Sequence, residues 1–104
     1  MVIVLIRRCV RRDREEHFLA SYKKEKPEHP DFIDETLTKV NESDELPQPM
    51  RTLPISGENC VTYLNVARWQ SAASFYQCFK PSTTHDPEIE CFDRLRVVLE
   101  VAQP

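Results

Sequence analysis

The chain has one glycine in 104 residues. A glycine-rich loop that cradles phosphate needs several, so the P-loop and dinucleotide-binding motifs are excluded, and most nucleotide-cofactor enzymes with them. Cysteine pairs at metal or redox spacing are also missing. Cys9, Cys60, Cys78 and Cys91 stand far apart with no CxxC, which signals neither a zinc site nor a redox dithiol. No apolar run approaches the roughly 20 residues that span a bilayer, so no membrane partner is expected. The opening Met1-Val2-Ile3-Val4-Leu5-Ile6 is too short for a signal-peptide core, lacks a basic leader and runs into Arg7-Arg8. It reads instead as a buried strand. A cytoplasmic location and four free thiols are therefore expected, although an even cysteine count is also compatible with disulfides. Large charge excess is absent too: 14 basic against 17 acidic residues give a net charge of −3. That balance argues against nucleic acid as a partner. Arg7, Arg8, Arg11 and Arg12 form the one basic cluster, read here as a solvated strand end and turn.

What is present is enough for a core. Forty per cent of residues are hydrophobic and 9% aromatic, which excludes a disordered chain. The length fits one domain over residues 1–104. Val2 to Val10 read as a strand that is apolar on both faces, and such a strand is covered on both faces. Asp13, with Glu16 three residues on, has the form of a capping box, and Phe18, Leu19 and Tyr22 recur at helical spacing. That helix is expected to reach about Lys26 before Pro27, with Glu15 and Glu16 at its start and Lys23, Lys24 and Lys26 at its end to suit the macrodipole.

Phe32 to Val40 favour a second strand, though the alternation is poor. Acidic residues with Pro47, Pro49 and Pro54 mark Asn41 to Glu58 as a long loop. Cys60 to Trp69 is the clearest strand, placing Val61, Tyr63, Asn65, Ala67 and Trp69 on one face. Ser71 is positioned to cap a helix carrying Phe75, Cys78 and Phe79, interrupted by Pro81. Asp86-Pro87 predicts a short helix over Pro87 to Phe92. Arg94 to Ala102 closes as a strand with Leu95, Val97, Leu99 and Val101 on one face. The order strand, helix, strand, strand, helix, strand predicts an α+β fold, the ferredoxin-like split βαβ arrangement with one antiparallel sheet and helices on one face.

The stretch Tyr63-Leu64-Asn65-Val66-Ala67-Arg68-Trp69-Gln70-Ser71-Ala72-Ala73-Ser74-Phe75 resembles the strand-to-helix junction of the antibiotic biosynthesis monooxygenase domain. His29-Pro30-Asp31-Phe32-Ile33 is similar to that family's proline-glycine-phenylalanine entry into its second strand, with aspartate in place of glycine. The resemblance implies a homodimeric α+β barrel in which two protomers pack sheet against sheet. It implies a flat aromatic substrate between helices and sheet, oxidised in some members with oxygen and no metal or flavin. No cofactor is expected. The pattern of the haem-degrading branch is not matched, because the first strand offers Arg7 and Arg8 and the second helix carries Cys78 near the tryptophan position.

Asn65 and Trp69 lie four apart on one strand face, so both side chains leave the sheet on the same side. In the catalytic reading the asparagine amide binds a substrate carbonyl or oxyanion and the indole stacks and donates its N–H. In the packing reading both belong to the core. Tyr76 is a candidate proton relay, although the family's tyrosine falls one position earlier, at Phe75, and one helical position is about 100°. Tyr22 and Phe75 are expected to bind substrate, with His17 a further candidate on the first helix. His85 is a candidate general base, its ordinary pKa of ~6.5 being suited to that work. Asp86 and Glu88 beside it are explained by capping better than by a metal.

Two functions are thus expected to compete: a small cofactor-independent monooxygenase of phenols or quinols, and a non-catalytic barrel that binds a ligand or a protein. A closed cavity beside Asn65 and Trp69 favours the first. A face filled by side chains favours the second.

Overall fold

The structure is a computed structural model describing residues 1–22, 27–43, 45–51, 59–79 and 85–104. Four strands form one antiparallel sheet: β1 (Val2–Arg11), β2 (Phe32–Lys39), β3 (Cys60–Trp69) and β4 (Leu95–Glu100), with α1 (Glu15–Ser21) and α2 (Ala72–Cys78) between them. The spatial order is β2-β3-β1-β4. The most apolar strands, β1 and β3, take the centre, paired from Val2 opposite Trp69 to Arg11 opposite Cys60.

This register sorts every strand residue to one of two faces. Val2, Val4, Ile6, Arg8 and Val10 share the inner face with Val61, Tyr63, Asn65, Ala67 and Trp69. The helices pack there. Two apolar clusters result. Val2, Val4, Ala67 and Trp69 are covered by Phe32, Ala72 and Phe75. Val10, Phe18, Val61 and Tyr63 are joined by Tyr22, Leu37 and Ile89. The outer face carries Ile3, Leu5 and Arg7, opposite Leu99, Val97 and Leu95 of β4. No described helix covers it, and Leu95, Val97, Leu99 and Val101 are between 39% and 51% exposed.

The poor alternation of the second strand has a local cause. The register shifts between Phe32 and Asp34, which pair with the consecutive residues Trp69 and Arg68. Ile33 is the extra residue of a β-bulge. It lets Phe32 meet Trp69 on the inner face and Asp34 meet Arg68 on the outer one.

Three expectations are corrected. The first helix does not begin at an Asp13 cap. A 3-10 turn over Arg12–Arg14 leads into α1, whose N-terminal flank Arg14 makes no side-chain cap. It also ends at Ser21, since Tyr22 is already extended (φ −63°, ψ 120°). The Ser21 hydroxyl donates to the carbonyls of His17 and Phe18, and Tyr22 turns towards the sheet. Lys23, Lys24 and Lys26 lie outside the described residues, as do Pro54 and Pro81. Ser71, by contrast, caps α2 as its position predicts, accepting from the Ser74 N–H at 3.2 Å.

The short helix over Pro87 to Phe92 does not form. Asp86 instead closes a turn, its carboxylate accepting the Glu88 N–H and its carbonyl those of Ile89 and Glu90. Glu90 then bridges Val10, and the chain runs beside the end of β1: Arg11 N–H donates to Ile89 and Cys91 N–H to Cys9. Tertiary pairing overrides the local signal.

Finally, Cys60 and Cys91 are joined by a disulfide with Cα atoms 6.8 Å apart, leaving Cys9 and Cys78 free. The expectation of four free thiols fails because the turn at Asp86 brings Cys91 beside the start of β3. Spacing along the chain does not report that meeting.

Candidate functional site

The inner face between the two apolar clusters is where polar groups gather. Asn65 sits in the middle of β3 opposite Ile6 of β1 and Leu37 of β2, and is only 3% exposed. A buried amide needs partners. Its Nδ2 donates to the Tyr22 hydroxyl at 2.7 Å and to Glu35 Oε1 at 3.2 Å. Tyr22 reaches it because α1 stops one residue earlier. Burial, and then the nearby charge of Glu35, raise the Tyr22 pKa above the ordinary phenol value. The phenol is neutral and its oxygen serves as an acceptor. Two residues singled out separately in the sequence, Asn65 and Tyr22, are thus brought together, and Glu35, which strand propensity had hidden, joins them.

Trp69 lies at the far end of the same face, 2% exposed. Phe32 and Phe75 meet it edge-on, with ring centroids at 5.3 and 5.9 Å, and His29 lies at 5.9 Å. Below these rings Asp31 accepts from the Ser74 hydroxyl, the Asp31 N–H donates to His29 Nδ1, and His29 Nε2 faces Gln77 Oε1 at 3.2 Å. His29 Nδ1 acts as an acceptor, so Nε2 carries the proton. The junction is a packed knot tying β2 to α2, which uses Phe75 as core. The face beside Trp69 is filled by side chains.

The remaining predicted residues lie elsewhere. Tyr76 is 60% exposed, on the outward side of α2, and touches Phe75 at 5.7 Å. The helical turn that puts Phe75 against Trp69 points its neighbour away, so the proton-relay role expected of Tyr76 in that wall is not supported by its position. His85 Nδ1 faces Asp93 Oδ1 at 3.2 Å, near the start of β4. His85, Asp86 and Glu88 have separate partners, Glu88 meeting Arg14 at 4.0 Å. His17 is exposed on α1.

Spacing missed the most heavily bonded carboxylate. Glu90 is 2% exposed, and both its oxygens accept from Arg8 and Arg94 at 2.8 to 3.3 Å. Burial opposes its ionisation, but the bonds and charges of Arg94 and Arg8 outweigh it and hold the carboxyl below the usual range. The Arg8 guanidinium also lies 4.7 Å above the Phe18 ring and 5.9 Å from that of Tyr22. The basic cluster is therefore not simply solvated. Arg8 serves Glu90, the Arg11 Nε donates to the Pro87 carbonyl, and Arg12 forks onto Glu42 at 2.9 and 3.0 Å. Arginine pairs across about 80 positions have no spacing signature.

No known family, no curated protein and no solved structure matched this chain in comparison. No helix among the described residues is long and apolar enough to cross a membrane.

Proposed function

We propose that the chain is one half of a homodimeric α+β barrel of the antibiotic biosynthesis monooxygenase type, which binds a small aromatic molecule against the inner face near Asn65 and Tyr22. The observation that carries this is a sheet finished on one side only. The order β4-β1-β3-β2 with both described helices on one face supports the ferredoxin-like arrangement. The opposite face leaves a contiguous row of Leu95, Val97, Leu99, Ile3 and Leu5 with no described helix above it. Beside them Arg7 Nε is buried with no hydrogen-bond partner among the described residues. Apolar area of this kind marks an interaction surface. A second copy supplies the cover that the two-faced apolar β1 calls for.

The filled surroundings of Trp69 favour a binding protein without turnover over an oxygenase, because an indole enclosed by three rings has no face left for a substrate. The Asn65–Tyr22–Glu35 group favours the second reading, cofactor-independent oxidation of a phenol or quinol. There, Glu35 is a carboxylate within reach of a phenolic proton, and the Asn65 amide, on releasing Tyr22 or Glu35, becomes a donor for the oxyanion that forms. A cytoplasmic site of action fits this reading only where Cys60 and Cys91 are reduced, since disulfides persist mainly in oxidising compartments.

Sedimentation velocity at micromolar concentration tests the barrel: a dimer supports it and a monomer overturns it. Oxygen consumption with a panel of hydroquinones separates the two readings. No turnover supports the binding protein, whereas turnover that Glu35→Gln abolishes supports the oxygenase.

A further inference from the structure

Three arginines and one carboxylate gather along the outer edge of the inner face. In the register, Arg96 lies opposite Ile6, Arg8 two residues further along β1, and Glu90 opposite Val10. Glu90 is saturated: both its oxygens already accept from Arg8 and Arg94. Arg96 is left over. It is half-buried, and its guanidinium lies 4.9 Å above the Phe79 ring with no hydrogen-bond acceptor among the described residues. Burial, together with the positive charges of Arg94 and Arg8, lowers its pKa, and the negative charge of Glu90 offsets these only in part, so the site disfavours the cation. A part-buried charge with no hydrogen-bonded counter-ion among the described residues is an unfavourable arrangement. It is relieved by an anion.

We infer that Arg96 is the anion-binding end of the candidate site and receives the carboxylate of a small aromatic acid. One guanidinium with its donors unspent presents one fork, which matches one planar carboxylate. A phosphate dianion would call on Arg8 and Arg94, whose Nε and Nη2 donors Glu90 occupies. The aromatic part of the ligand is set by the rings alongside. Phe79 lies under Arg96, and the Tyr22 ring reaches from Arg8 to the Asn65 amide. Arg96 and Asn65 flank Ile6 on adjacent strands of one row. At a strand spacing of ~4.8 Å their backbones are roughly 10 Å apart, a span comparable with a benzene ring carrying a substituent at each end. The ligand then carries an anion at one end and a hydroxyl or carbonyl at the other.

This inference rests on the proposal that the inner face binds an aromatic molecule, and calorimetric titration separates the two. The probes are 4-hydroxybenzoate and the neutral 4-hydroxybenzyl alcohol, applied to the parent chain, Arg96→Gln and Arg96→Lys. The parent is expected to bind the acid at least tenfold more tightly than the alcohol. Arg96→Gln removes that preference, so that acid and alcohol bind alike. Arg96→Lys keeps the charge without the fork and retains part of the preference, which guards against a folding defect in the glutamine variant. Equal binding of the two probes by the parent, or an unchanged preference in Arg96→Gln, overturns the anion site and leaves the aromatic site standing. Binding of neither probe at millimolar concentration overturns both.

Discussion

The inner and outer faces of the sheet are built from the same strands and similar residue types, yet they meet different fates. The inner face holds Trp69, Tyr63, Val61 and Asn65, all buried under two short helices and tied by hydrogen bonds to Tyr22 and Glu15. The outer face holds leucine and valine in comparable number and leaves much of that surface exposed. The lesson is that hydrophobic alternation specifies a pleated surface and not what covers it. Cover comes from the lengths of the connections: α1 and α2 are seven residues each and both turn to the same side. Seven residues make about two helical turns, enough to shield one face.

Substitutions that separate the faces differ in size. Trp69→Ala removes the ring at the centre of one inner cluster and should cost about 4 kcal/mol, read as a lowered urea midpoint with an unchanged slope. A loss below about 1 kcal/mol would mean that the inner face is far looser than its packing indicates. Glu90→Gln strips the shared counter-charge from Arg8 and Arg94. Breaking a buried pair of this kind should cost about 3 kcal/mol. The same carboxylate gives a pH signature. Its folded pKa is depressed, so its contribution is present above the unfolded value and is lost as pH falls through the folded one. Stability of the parent should therefore fall on the acid side of the ordinary carboxylate range, and the glutamine variant should show a flatter acid limb. A parallel pair of curves would show that Glu90 is not the group responsible.

Reduction of Cys60–Cys91 comes next. The bond spans a sequence separation of 31, and opening a loop of that length should remove roughly 3 kcal/mol, measured by denaturation with and without reductant. Tyr63→Phe deletes the hydroxyl that donates to Glu15 at 2.6 Å, where Lys39 also pairs, and should cost about 1 kcal/mol. The smallest effect on the fold of the chain belongs to the outer face. Val97→Lys should leave far-UV circular dichroism unchanged while shifting sedimentation from dimer to monomer. A loss of secondary structure would show that the outer face contributes to the chain's own core.

Much of the sheet was legible because its signal is local. The alternation in β3 named all five inner residues, and the apolar run of β1 named a strand, whose central position is read from the structure. β2 was obscured by the bulge at Ile33, since one inserted residue reverses the parity of everything after it. The turn at Asp86 misled for another reason: aspartate-proline is an equally good opening for a helix and for a turn, and the backbone pairing of Arg11 with Ile89 decided between them. At the site, Asn65 could be seen because it stands in a regular strand, and Tyr22 because it lies within one turn of the apolar spacing of α1 although the helix stops at Ser21. Glu35, Glu90 and Arg96 could not, because their meaning lies in partners on other strands.

The central position of β1 also sets a timetable. β1 leaves the ribosome before β2, but both its neighbours, β3 and β4, come later still, and β4 pairs with it from Arg7 opposite Leu95 to Val2 opposite Glu100. At ~5–20 residues per second, the Val2–Ile6 segment waits several seconds for its first partner strand. During that wait it is a short β-branched apolar segment without charge, the kind that self-associates readily. Arg7, Arg8, Arg11 and Arg12 follow it immediately, and four like charges at the end of an unpaired strand keep nascent copies apart until β3 arrives.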